Sequence, residues 1–310
     1  MEQQGQAEWV LTCMGRRISH PALAGMTEVL SQHAIFIKTM RVLAQKKLHC
    51  LEMVLTALRP TDARALSRRL DPLRSDFGMD VVIQEMDPYR QKKRLLFIDM
   101  DSTLVRMEGI DELAKEAGVG DRVASITHRA MNGAIPFPAA LRERVALLAG
   151  LPASALQRVY RRMSYTPGAR KTIALLQAAG YQIALLSGGF DYFSARVKAR
   201  LKLDHAFSNT LEVRDGLLTG AILGEIVDGE RKAALMAEVV RKAGASFDQT
   251  IAIGDGANDL PMISQAGLGI AFRAKPAVRE AAPCSITQPN MTSVLYLLGM
   301  TESEIERSGA

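Results

Sequence analysis

The sequence predicts an α/β protein in two parts: a doubly wound parallel sheet with an inserted helical cap, preceded by a smaller βαββαβ unit. Three observations lead there. From residue 94 onward, short apolar runs alternate with helical patterns, as in a parallel sheet covered on both faces. Residues 108–164 interrupt that alternation with helical periodicity alone. Residues 9–86 follow a different order of strand and helix patterns. A length of 310 residues accommodates two such units.

In the first unit, WVLTCMG reads as a strand and PALAGMTEVLSQHA as a helix with Leu23, Met26 and Leu30 on one face. IFIKTMRVLA and LHCLEMVLTAL read as strands joined at Gln45-Lys46-Lys47. Thr61 can cap a second helix bearing Leu66, Leu70 and Leu73, and MDVVIQEM closes as a strand. This order is the split-βαβ, or ferredoxin-like, pattern. Pro72 should kink or shorten the second helix. In the second unit the strands are RLLFID, YQIALLSGG, TIAIGDG and LGIAF. The helical run between the first two is too long for a simple crossover, so it reads as a cap over the sheet. The expected division is 1–88 for the first unit, 89–94 for a linker, 95–107 with 165–310 for the core, and 108–164 for the cap.

Composition narrows the function classes. With 48% hydrophobic and 23% charged residues the chain reads as an ordinary soluble protein. No apolar run approaches the ~20 residues of a membrane helix, and MEQQGQAEW lacks the pattern of a secretory signal. Cys13, Cys50 and Cys284 are odd in number and far apart, so they read as buried thiols in a reducing cytoplasm. The net charge is +6, but residues 1–94 hold 15 Lys and Arg against 10 Asp and Glu, while residues 95–310 hold 24 against 23. The excess is therefore N-terminal. Four basic residues lie in YRQKKR, residues 89–94, which reads as a solvated linker or, alternatively, an anionic docking site. Aromatic content of 5%, with no aromatics interleaved among basic residues, argues against nucleic-acid binding.

The polar residues at strand ends carry the chemistry. Leu95 to Ile98 run directly into Asp99, Met100, Asp101, Ser102 and Thr103. A buried strand rejects unpaired carboxylates, because desolvating them costs several kcal/mol. The strand QIALL ends in Ser187-Gly188-Gly189, and TIAI ends in Gly254-Asp255-Gly256-Ala257-Asn258-Asp259. Ligands of open α/β sheets bind beyond the carboxyl ends of the strands. Ser187 and its glycines are expected to open a helix, where free N–H groups favour phosphate. Asp99, Asp255 and Asp259 together repel one another unless a cation is bound, and oxygen ligands point to Mg²⁺. Lys232, near a helix start, can neutralise further negative charge. Each signal alone is weak: a D-x-D pair is commonly a solvated loop, and a lone lysine is commonly on the surface. Their joint order at strand ends and a helix start reads as a phosphate-handling Mg²⁺ site.

DMDSTLV, SGGF, Lys232 and GDGAND resemble the four motifs of the haloacid-dehalogenase-like phosphatases. The finer resemblance is to the phosphoserine phosphatases, through EGIDELA, MNG–x3–F–x6–R, SGGFD and GDGANDLPM, and it spans about residues 94–298. The first unit resembles an ACT domain, with MGRRISHPALAG where such domains carry an Asp-x-Pro-Gly-like turn. The resemblance implies that Asp99 is the nucleophile and Asp101 the general acid and base. It implies Mg²⁺ between Asp99, the Asp101 carbonyl and Asp255, with Asp259 supporting. Ser187, Gly188 and Lys232 would hold phosphoryl oxygens, and Asn258 would orient the phosphate. In the cap, Glu108 would pair with a substrate ammonium and Arg144 with its carboxylate, while Met131 and Phe137 exclude water. Without the resemblance, Glu108 reads as a helix-start acid and Arg144 as an exposed helix residue. The implied activity is hydrolysis of O-phospho-L-serine to serine and phosphate, the last step of serine biosynthesis. The alternatives are phosphoryl transfer to another alcohol, such as homoserine, and a non-enzymatic amino-acid-responsive regulator. Edge strands of the first unit suit pairing between two chains, so a homodimer is expected.

Overall fold

The computed structural model describes residues 8–57, 63–86, 90, 92–131 and 134–307, with only the backbone at Ala63, Arg64 and Met131. The expected cap at Thr61 lies outside the described residues.

The first unit contains β1 (Glu8–Gly15), α1 (His20–Gln32), β2 (Ile35–Ala44), β3 (His49–Ala57), α2 (Ala63–Arg69), α3 (Asp71–Phe77) and β4 (Asp80–Glu85). Its sheet is antiparallel in the order β2-β3-β1-β4, the split-βαβ arrangement. Ser19 caps α1 by accepting the Ala22 N–H at 3.4 Å, and Ala22, Met26 and Leu30 point into the core. Pro72 splits the expected second helix rather than kinking it. α2 stops at Arg69, and α3 restarts with Pro72 in its first turn, where a missing N–H costs nothing.

The second unit opens with β5 (Leu95–Ile98), whose four residues are all buried. The cap follows as α4 (Gly109–Glu116), α5 (Gly120–Met131), α6 (Phe137–Ala146) and α7 (Ser154–Arg162). The chain then runs through α8 (Ala169–Ala178), β6 (Gln182–Phe190), α9 (Asp191–Leu201), β7 (His205–Arg214) and β8 (Leu217–Leu223). It ends with α10 (Gly229–Lys242), β9 (Thr250–Gly254), α11 (Leu260–Gln265), β10 (Leu268–Phe272), α12 (Pro276–Ala281), β11 (Cys284–Ile286), α13 (Ser293–Leu297) and α14 (Glu302–Arg307). The sheet order is β11-β10-β9-β5-β6-β7-β8, parallel except for the β7–β8 pair. The first strand in sequence therefore lies at the centre, flanked by the two others that end in polar motifs.

Two contacts hold the cap. Its entry and exit strands pair, with a Val105–Tyr165 bridge and Arg106 N–H donating to Ser164 O at 2.9 Å. The β7–β8 hairpin, absent from the expected strands, bonds to it. Gly150 N–H donates to Leu218 O at 2.8 Å, and Ala153 N–H donates to Gly216 O at 2.8 Å. The hairpin turns at Asp215 (φ 50°) and Gly216 (φ 77°), the positive pair that a tight hairpin turn needs.

Two basic residues of the stretch before β5 are buried rather than solvated. Arg90 and Lys93 are 4% and 5% exposed, while Lys92 and Arg94 are exposed. Arg90 pairs with Glu52, itself 3% exposed, and Arg41 meets the same carboxylate at 2.6 Å. Lys93 donates to Asp248 O. Asp80 accepts from Thr287 N–H (2.9 Å), Thr287 Oγ1 (2.8 Å) and Gln288 N–H (3.2 Å), and Gln84 Nε2 donates to Leu297 O at 3.0 Å. Met14, Cys50 and Val82 of the first unit share an apolar cluster with Tyr296, Leu297 and Ile305 of the second. All three cysteines are buried and free.

Removing one partner of a buried ion pair leaves the other charge uncompensated, at a cost of ~3–5 kcal/mol. Glu52→Ala should lower the unfolding free energy by about that much, read as a lower urea midpoint with unchanged slope. A loss smaller than about 1 kcal/mol, the worth of a surface pair, would mean that the Arg90–Glu52 contact does not hold the connector against the first unit.

Candidate active site

β5 delivers Asp99 (5% exposed) to the carboxyl edge of the sheet, and the chain then makes a tight turn through Leu104. Ser102 sits in the left-handed region at φ 58°, which costs a non-glycine residue roughly 1–2 kcal/mol. Its side chain is used. The hydroxyl donates to Glu108 Oε1 at 2.5 Å, and Glu108 occupies the N-cap position of α4 without making a capping bond. The turn folds Asp101 inward (9% exposed), where its Oδ1 accepts the Gly109 N–H at 2.8 Å.

β6 brings the second set of groups. Ser187 to Gly189 do not open a helix; they remain in β6 as an irregular strand end, and α9 begins at Asp191. Ser187 Oγ donates to Asp101 Oδ2 at 3.2 Å and accepts the Gly189 N–H at 2.9 Å. A Cβ at Gly189 would lie 2.4 Å from Asp101 Oδ2, so only glycine permits this approach.

β9 and α10 supply the third side. Asp228 caps α10, accepting the Arg231 N–H at 2.9 Å, and this sets Lys232 facing inward with no exposed surface. Its Nζ donates to Asp99 Oδ1 at 2.5 Å and to Asp259 Oδ1 at 2.7 Å. Asp259 Oδ2 accepts the N–H groups of Asp255 (3.1 Å) and Gly256 (2.9 Å). Asp255 Oδ1 accepts from Thr103 Oγ1 at 2.7 Å. Asn258, half-buried, would have its Nδ2 3.7 Å from a Cβ placed on Gly188.

The cap closes over this edge. Phe137 Cζ would lie 3.0 Å from a Cβ on Gly188, and the Arg144 guanidinium stands 6.0 Å from the Phe137 ring. Arg144 is 9% exposed rather than on the surface, and donates to Ala140 O (3.3 Å) and Thr127 Oγ1 (3.4 Å). The side chain of Met131 lies outside the described residues.

The electrostatics are those of a dry, acidic site. Burial, then the Glu108 charge, pushes the Asp101 carboxyl up to about 7. Burial also pushes Asp255 up to about 7, against the Thr103 hydrogen bond and with the help of Asp259. Burial raises Asp99 well above the usual carboxylate range, the Lys232 ammonium opposes it, and Asp259, Asp255 and Asp101 add to the rise. For Lys232, burial pulls down, but Asp259 and Asp99 more than reverse it and hold the ammonium charged. One oxygen from each of Asp99, Asp255 and Asp259 lies within 4.8 Å of the others. Three carboxyl groups thus share a single ammonium in one mostly buried space. A divalent cation with a preference for oxygen ligands fits that donor set.

Thr103, Thr127 and Asp111 support the site, and sequence reasoning singles out none of them. Asp111 lies close enough to Arg144 and Glu108 to act on both. Only Thr103 carries a signal, as a hydroxyl next to the D-x-D pair.

The arrangement has counterparts. The haloacid dehalogenase-like hydrolase family model matches residues 96–264. A phosphoserine phosphatase of Streptomyces coelicolor is 39% identical over 303 residues, 98% of this chain and 73% of that protein. The crystal structure of a HAD family hydrolase from Salmonella enterica serovar Typhi superimposes with a TM-score of 0.82 at 32% identity, covering 94% of this chain and 98% of that one. A phospho-aspartyl intermediate analogue of a phosphoserine phosphatase matches with a TM-score of 0.63 at 43% identity, over 66% of this chain and 98% of that one. The chain belongs to the haloacid dehalogenase-like hydrolases and, within them, to the group that contains the phosphoserine phosphatases.

Proposed function

We propose that this chain hydrolyses O-phospho-L-serine to serine and phosphate through an aspartyl-phosphate. One observation carries the reading: an acid at the start of the cap, Glu108, and a buried guanidinium of the cap, Arg144, stand over an Asp99–Lys232 phosphoryl site. A substrate with an ammonium, a carboxylate and a phosphate meets a complementary group at each end. Similar proteins named phosphoserine phosphatase support this, as does the phospho-aspartyl analogue among them.

In this reading an Asp99 oxygen attacks phosphorus in line, the P–O ester bond breaks, and Asp101 gives its proton to the departing serine oxygen. A carboxyl raised to about 7 retains that proton near neutral pH. Asp101, now ionised, takes a proton from water as the water attacks phosphorus, releasing phosphate and restoring Asp99. Ser187, the Gly188 N–H and Lys232 hold phosphoryl oxygens, Asn258 orients the group, and Phe137 with Met131 excludes water. Asp99, Asp255 and the Asp101 carbonyl would hold Mg²⁺, supported by Asp259. When bound, the ion supplies positive charge beside the phosphoryl oxygens.

The first unit is read as an ACT-like regulatory module. No described helix is long and apolar enough to cross a membrane, and the three free buried thiols support a reducing cytoplasm. The edge strand β2, exposing Phe36, Met40 and Val42, supports pairing of two chains into a dimer. A monomer mass by light scattering at micromolar concentration would remove the dimer.

Arg144 gives the sharpest test of substrate choice. A guanidinium grips a carboxylate through two charge-assisted hydrogen bonds, and leaving that carboxylate unpaired under the cap costs ~2–5 kcal/mol. Since ~1.4 kcal/mol is tenfold, Arg144→Ala should lower kcat/KM for phosphoserine by tens to thousands. Hydrolysis of p-nitrophenyl phosphate, which lacks a carboxylate, should change much less. Equal losses on both substrates would assign Arg144 to the cap's fold. Activity that survives chelation of divalent cations in these assays would remove Mg²⁺ from the reading.

A further inference from the structure

The β6–β7 ladder breaks at the phosphoryl site. Leu186 pairs with Phe207, and the next pair is Phe190 with Asn209. Ser187 to Gly189 therefore stand opposite the single residue Ser208. Such a bulge leaves main-chain groups without ladder partners, and burial makes them costly unless something else bonds them. Asn209 fills the gap at 1% exposure. Its Nδ2 donates to Gly188 O at 2.9 Å, and its Oδ1 accepts the Val227 N–H at 2.8 Å. One end of the amide thus holds the strand end that carries Ser187. The other holds the residue just before Asp228, which caps the helix bearing Lys232.

The first bond has a directional consequence. Gly188 C=O and Gly189 N–H belong to one rigid peptide plane. Fixing the carbonyl aims the N–H at Ser187 Oγ, 2.9 Å away, and Ser187 Oγ in turn donates to Asp101 Oδ2 at 3.2 Å. We infer that Asn209 is a positioning residue that joins the two halves of the phosphoryl site. It locks the Gly188–Gly189 peptide behind Ser187 and ties that peptide to the loop that launches the Lys232 helix. The inference rests on the proposed phosphohydrolase reading of the site.

Asn209→Asp tests it with little change of shape. The variant keeps an acceptor for Val227 but sets an oxygen against the Gly188 carbonyl. On both phosphoserine and p-nitrophenyl phosphate, kcat should fall by about tenfold or more, since small misplacements of reacting groups are expensive. Inhibition by inorganic phosphate should weaken by a similar factor, unlike the substrate-selective loss at Arg144. Asn209→Ser, which leaves room for a bridging water, should recover part of both. A folded Asn209→Asp with wild-type kcat and phosphate inhibition would overturn the inference, as would equal defects in the Asp and Ser variants. If neither variant folds, asparagine-selective ¹⁵N labelling of the wild type decides, because the chain has four asparagines. The inference requires the Asn209 side-chain amide to exchange slowly and to shift when inorganic phosphate and Mg²⁺ are added; an unshifted, fast-exchanging amide overturns it. Failure of the substrate assignment is distinguishable, because it would abolish phosphoserine turnover in the wild type while the phosphate-binding arms still report on Asn209.

Discussion

A lysine ammonium with no exposed surface sits between two aspartates, and the rest of the site is arranged around it. Burying an ammonium alone costs several kcal/mol, so Lys232 is stable there only because Asp99 and Asp259 flank it. Asp259 also holds structure, because its second oxygen accepts two main-chain N–H groups of its own turn. Asp99 is different. Its bond to Lys232 engages one oxygen, and its strand carries it to the open edge of the sheet. The same lysine that makes burial of the pair tolerable also fixes where the Asp99 carboxylate points.

Topology does the gathering. β5 lies between β9 and β6, all parallel, so Asp99, Asp255 and Ser187 leave the sheet at the same edge despite separations of up to 156 residues in sequence. The cap is an insertion whose entry and exit strands pair, with the β7–β8 hairpin bonded to its far end. That support places Phe137 against Gly188 and buries Arg144. The cap residues and the strand-end residues therefore sit on separate elements, joined at Glu108 through its bond to the strained Ser102.

Much of this is legible in the sequence because an apolar run that ends abruptly in acids is costly unless those acids are used. Asp99, Asp101 and the GDGAND acids fall into that class, and the same apolar runs mark the parallel core. What stays hidden depends on partners distant in sequence. Arg90 and Lys93 look solvated because nothing local reveals Glu52 or the Asp248 carbonyl as their acceptors. Asn209 looks like any polar residue at a strand, since its role exists only where β6 bulges. The β7–β8 hairpin carries a legible signal, Asp215-Gly216 between alternating residues. Its strands are half-exposed, however, and lack the continuous apolar run that marks their neighbours. Pro72 shows the limit of a local rule: it marks a break, but not that the chain would restart a helix around it.

The carboxylate proposed to attack phosphorus can be identified directly. Acid-quenching the enzyme during turnover of ³²P-labelled phosphoserine traps an acyl phosphate, and trypsin cleavage after Arg94 and Arg106 isolates residues 95–106. Fragmentation of that peptide should place the label on Asp99, and Asp99→Asn should show neither label nor turnover while unfolding as the wild type does. A label on Asp101, Ser102 or any residue outside the peptide, or near-normal turnover in Asp99→Asn, would contradict the assignment of Asp99 as the group that attacks phosphorus.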